Sequence, residues 1–250
     1  MSDPSPLSDA CKKVVRSIRQ NWPAMLCLEA AMATVVAIYY LWPAGSAMVT
    51  SYGIWLHSGG ILATALAAAL AGGVLSELSI VYIQNGGCWT KVHFERMLFN
   101  SVLFFISGSI VFEFYYFQAW VFGDDTGWRI VAPKLFVDQF VFTVFWATPY
   151  QALMTRWHAL RYSASSLWRE LGWNFVLERI VPILLTSWCF WFPCMGLIYS
   201  MPAVLQPALF IFGTAIWGLL MPAVARQERE DFAAPAPTLL TTEVLPEPAE

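Results

Sequence analysis

Charged side chains are what this sequence has least of. Asp, Glu, Lys and Arg make up 12% of its 250 residues, about half the share of a water-soluble domain. So few charges cannot cover a chain in which 58% of residues are hydrophobic and the mean hydropathy is +0.57. Histidine is also rare, present only as His57, His93 and His158. There is no HExxH, no Gly-rich phosphate loop and no GxSxG. The five Cys are an odd number without a CxxC pair, and Cys189 and Cys194 fall on different faces of a helix. They read as thiols acting as small hydrophobes. These absences exclude a secreted disulfide protein, a nucleic-acid binder and a disordered chain. They also give no basis for an enzyme, a metal site or a cofactor.

What is present is apolar length. Charge-poor stretches of about twenty residues are the signature of membrane-crossing helices, and six can be read. They run from Ala24 to Trp42, Gly59 to Ile83, Met97 to Phe122 and Leu135 to Met154, with two more inside the stretch from Val181 to Pro222. That last stretch has no Lys, Arg, Asp, Glu or His, and Ser200, Met201, Pro202 and Pro207 supply a turn within it. Aromatic residues flank several spans, as at a membrane interface: Trp22, Tyr39, Tyr40 and Trp42 around the first, Tyr115, Tyr116 and Trp120 late in the third. The basic residues test the count. Six alternating crossings place twelve of the fourteen Lys and Arg on one side and two on the other, the asymmetry expected of a cytoplasm-like face. The expected fold is therefore all-α: a polytopic transmembrane helix bundle of about six spans, residues 24–225, with both termini on the same side.

Little remains outside the bilayer. Residues 1–23 place Val14, Val15 and Ile18 opposite Lys12, Arg16 and Arg19, which suits a basic interfacial helix on an anionic surface. Residues 226–250 are acidic and rich in Pro, Ala and Thr, and read as a disordered tail.

Polar groups inside the spans are the functional signal. Ala63, Ala67 and Ala71, with Ala65, Ala69 and Gly73, give the second span two small-residue ridges and a central place in the bundle. Glu113 falls deep in the third span and Glu77 in the second, where a carboxylate costs about 2.5–3.5 kcal/mol unless protein or water receives it. Each reads either as lining a polar cavity or pore, or as an interhelical hydrogen bond. Glu29 and Asp138 lie near span ends, where a charge costs little. Lys134 stands one helical turn before Asp138, with Gln139 beside it. Pro149, Pro182 and Pro193 interrupt later helices and can shape a cavity.

Several of these landmarks form an ordered set. They are Gly72-Gly73-Val74-Leu75-Ser76-Glu77, Arg96, Gly108 through Tyr115, Lys134-Leu135-Phe136-Val137-Asp138-Gln139, Trp191-Phe192-Pro193, Met201-Pro202 and Ile216-Trp217. In order and spacing they resemble the family of the twenty-two-kilodalton peroxisomal membrane protein and its mitochondrial inner-membrane relatives, over roughly Gly72 to Ala225. The Lys-x-x-x-Asp-Gln element is reproduced intact. Gly73 and Glu77 replace the family's Asp and Gln, while Ser109, Phe112 and Phe114 replace its Pro, His and Trp. The resemblance implies a small integral protein of an organelle membrane, mitochondrial inner or peroxisomal, or of the plasma membrane if the chain is bacterial. It further implies a channel-like or permeability-regulating role for small hydrophilic solutes. Taken with the polar groups inside the spans, it points to Glu77, Glu113, Lys134, Asp138 and Gln139 lining or buttressing the path, although Glu113 is this chain's own feature. The alternative is a non-conducting structural or scaffold membrane protein. The lipid bilayer is the expected partner, and formation of a homo-oligomer is left open.

Overall fold

A computed structural model describes residues 29–84 and 86–215, with the isolated positions Val15, Trp22, Met25, Leu26 and Trp217. The expected basic interfacial segment and acidic tail lie outside the described residues. Among the described residues every regular element is a helix and there is no strand. In chain order they are α1 (Glu29–Leu41), α2 (Pro43–Ser58), α3 (Gly60–Tyr82), α4 (Lys91–Phe122), α5 (Trp128–Ala159), α6 (Ala164–Glu170), α7 (Trp173–Tyr199) and α8 (Ala203–Ala215). Four of them, α3, α4, α5 and α7, are long and apolar enough to cross a membrane. Their outer faces carry Leu62, Leu66, Leu98, Val102, Phe140 and Phe145, all exposed, a surface that hydrocarbon rather than water would cover. Apolar helices of this kind fit an integral membrane protein.

The start of the chain departs from the expected plan. Pro43 has no N–H and biases Trp42 to the extended region, where it sits at φ −126° and ψ 106°. The helix therefore breaks, and α2 leaves α1 at 111°. Residues 43–58, expected to be a connection, form a helix. Its Gly53 meets Leu205 and the Val204 carbonyl at the start of α8. The Tyr40 hydroxyl donates to the Ser200 carbonyl at 2.8 Å, tying α1 to the same turn. Within the described residues α8 is shorter than a membrane span.

The crossing of α3 and α4 is the most extensive contact between elements, and small residues explain it. Gly73 lies on the backbone of Ser101, where a Cβ would stand 2.6 Å from the Ser101 N and Cα. Gly72 faces the ring of Phe104, and Gly108 faces Ala65 and Ala68. Close approach of backbones replaces the hydrophobic drive that lipid cannot supply. The span of α3 is 44% buried against 22% to 28% for the other three, which gives it the central place its small-residue ridges predict.

Two later helices widen before a proline. Residues Val137–Ala147 of α5 and Val176–Ile180 of α7 make i→i+5 turns. Pro149 and Pro182 follow them, each withholding the N–H that would close an α-helical turn. In the last turn of α5, Arg156 Nε and Nη2 donate to Glu170 of α6 at 2.6 and 2.7 Å. Those hydrogen bonds hold the Glu170 carboxyl below its ordinary range.

The α3–α4 contact sets a test. Gly73→Ala is expected to destabilise the fold by about 1–3 kcal/mol, because the added carbon meets backbone that cannot yield. Gly196→Ala, in open space, is expected to be neutral or slightly stabilising. Unfolding in detergent micelles measures both, and equal effects would contradict the crossing.

Candidate functional site

Glu77 is fully buried near the end of α3. Its Oε2 accepts from Arg96 Nε at 2.6 Å, and its Oε1 accepts from Arg96 Nη2. His93 Nδ1 lies 2.7 Å from the same Oε1. A planar guanidinium matches both carboxylate oxygens at once. Residues nineteen apart in the chain thus close a charge cluster where α3 ends and α4 begins.

A second polar cluster joins α4, α5 and α7. Asp138 is 6% exposed. Its Oδ2 accepts from the Tyr199 hydroxyl at 2.6 Å, and its Oδ1 accepts from Gln139 Nε2 at 2.6 Å. Tyr115 of α4 packs edge-on to Tyr199 at 5.8 Å. Gln118 Nε2 donates to the Lys134 carbonyl at 3.4 Å, and the Lys134 side chain is buried. Trp188 Nε1 donates to the Gln139 carbonyl at 3.0 Å. The wide turns of α5 let the neighbours Asp138 and Gln139, with Thr143, all face inward.

Beside this cluster lies a cavity of about 90 Å³. Asp138, Gln139, Thr143 and Thr148 of α5, Ser187 of α7 and Thr214 of α8 give it polar walls. Tyr115, Trp146, Trp191 and Trp217 supply aromatic faces. Gln139 Oε1 and Thr214 Oγ1 are buried without a hydrogen-bond partner in the protein. Among the described residues no three His, Cys, Asp or Glu side chains gather as a metal site would require.

The five polar candidates are thus divided. Lys134, Asp138 and Gln139 share one cluster, and Glu77 belongs to the other. Glu113 is a correction: it is exposed on the outer face of α4. It stands two residues from both Val111 and Tyr115, which are buried, and so about 200° around the helix from each. Asp138, expected near the start of its span, lies ten residues inside α5, which begins at Trp128, and is buried there. Sequence reasoning misses two residues of these clusters. His93 and Tyr199 carry no local signal, and only the fold brings them to Glu77 and Asp138.

Positions of the family-like motifs gather in the same places. Gly72 and Gly108 lie in the α3–α4 crossing and Arg96 on Glu77, while Tyr115, Asp138, Gln139, Trp191 and Trp217 line the cavity. Pro193 lies inside α7, and Pro202 caps the turn into α8. No protein-family model, curated protein or solved structure matches this chain.

Breaking the first cluster from one side should be costly. Arg96→Met is expected to destabilise the fold by about 3–5 kcal/mol, because it leaves a buried carboxylate without its guanidinium and with only His93 beside it. Adding Glu77→Gln to Arg96→Met is expected to recover part of that loss. Unfolding free energies decide it, and equal losses for the single and double variants would mean that Arg96 does not hold Glu77.

Proposed function

We propose that this chain is a channel-like or permeability-regulating membrane protein for small hydrophilic solutes, with the cavity beside Asp138 on the route. One observation carries the reading. The cavity is lined by polar side chains, Asp138, Gln139, Thr143, Thr148, Ser187 and Thr214 among them, inside an apolar helix bundle. Such a lining can receive water, and about 30 Å³ of liquid per molecule lets the space hold several. A wet chamber inside an apolar bundle is what a hydrophilic path first requires. The motif resemblance supports the same reading, since five of its positions lie on that wall. The finer topology belongs with it: six crossings, with both termini on the basic side. By the same resemblance the host is a mitochondrial inner or peroxisomal membrane, and a bacterial plasma membrane fits the charge asymmetry equally.

A second reading has its own observation. Glu77 and Asp138 are both engaged by protein groups, through Arg96 and Tyr199. In a structural or scaffold protein those contacts would serve only to lock helices together.

Solute release from liposomes separates the two. The purified protein is expected to release small hydrophilic solutes up to a size limit. Ser187→Leu, which puts a larger apolar side chain into the cavity, is expected to slow release severalfold at unchanged Tm. Glu113→Gln, on the outer face, is expected to leave it unchanged. No release from folded protein, at any pH or voltage tried, would move the assignment to the scaffold reading.

A further inference from the structure

A separate groove of about 370 Å³ opens on the outer surface between the first half of α4 and the end of α5. Its walls are apolar and aromatic: Leu98, Val102 and Ile106 from α4, Met154 and Trp157 from α5, and Tyr162 from the turn beyond. The turn is unusual. Arg161 and Tyr162 hold φ values of 51° and 63°, a region that residues with a side chain enter only at a cost and that clusters at functional sites. This backbone seats Tyr162 edge-on against Trp157, 5.2 Å between ring centres. It also turns Arg161 toward Glu95 at the groove's mouth.

Charge at that mouth does not balance. Lys91 Nζ lies 3.8 Å and Arg161 Nη1 3.3 Å from the Glu95 carboxylate. Two cations share one anion, and both are well exposed, at 89% and 82%. Nearby Arg156 is already engaged by Glu170. The groove therefore offers an apolar trough with surplus positive charge at its mouth.

We propose that this groove binds one anionic glycerophospholipid. An acyl chain would lie along Val102, Ile106 and Met154, and the phosphate would answer Lys91 and Arg161. The charged mouth stands where α4 begins and α5 ends, the level at which headgroups meet basic side chains. A zwitterionic lipid brings its own cation and leaves the surplus charge unanswered. An apolar helix from a second copy would cover the trough but not the charge.

Native mass spectrometry of the full chain, after detergent exchange in equal phosphatidylglycerol and phosphatidylcholine, tests this. One phosphatidylglycerol is expected to stay bound, with about a tenfold preference over phosphatidylcholine. Lys91→Gln with Arg161→Gln, both on the surface, is expected to erase the preference. Val102→Trp, and independently Ile106→Trp, is expected to expel the lipid by filling the trough, with Tm in lipid-free detergent reporting that each variant is folded. Equal retention of the two lipids by the unaltered chain would overturn the proposal. So would a preference that survives loss of both cations, or a lipid retained by the folded Trp variants.

Discussion

A carboxylate enclosed by helices at membrane depth can be received only by protein or by trapped water, and this fold is arranged around two of them. Asp138 sets the spacing of α5 and α7 through Tyr199, which in turn packs on Tyr115 of α4. Glu77 fixes the end of α3 to the start of α4 through Arg96. Lipid gives helices no hydrophobic reason to associate, so contacts of this kind and close backbone approach must supply it. The glycine-lined crossing of α3 and α4 supplies the second. Shape and polarity act together: the small residues bring the helices close, and the polar pairs fix which faces meet.

The cavity follows from the same constraints. Pro149 prevents α5 from closing as an α-helix, the turns before it widen, and Asp138, Gln139 and Thr143 come to one side. Pro182 stands in the same relation to α7, whose Ser187 faces that space. Facing helices bring Ser187, Thr214 and the Trp191 and Trp217 rings beside Leu103, Val111 and Met195, so polar and apolar side chains share the walls of the space.

Much of the fold was legible in the sequence, because hydropathy and charge report where a span starts and stops. The apolar runs located α3, α4, α5 and α7, and the alanine ridges located α3 at the centre. Hydropathy reports depth but not direction around a helix axis, and Glu113 shows the difference. It lies among apolar neighbours in the chain, yet points away from the buried stripe of Val111, Phe112 and Tyr115. The bend at Trp42 was signalled only by Pro43, and the uncharged run on either side concealed a separate α2. The apolar run begins at Leu135, seven residues after α5 itself starts at Trp128, and so puts Asp138 nearer the helix end than it lies. Glu77 and Arg96 were each recognisable, but their union depends on the antiparallel return of the chain. The groove by Arg161 depends on two left-handed residues that no composition announces.

The central claim is that the interior beside Asp138 is reached by water while the outer faces are not. Thiol accessibility in reconstituted vesicles tests it directly, with single cysteines introduced into a chain freed of its own. A small, charged methanethiosulfonate reagent should modify Thr143→Cys, on the cavity wall, and leave Val141→Cys, on the exposed apolar face of the same helix, untouched. If both thiols stay inert in folded protein, the cavity is dry and the account of its polar walls is wrong.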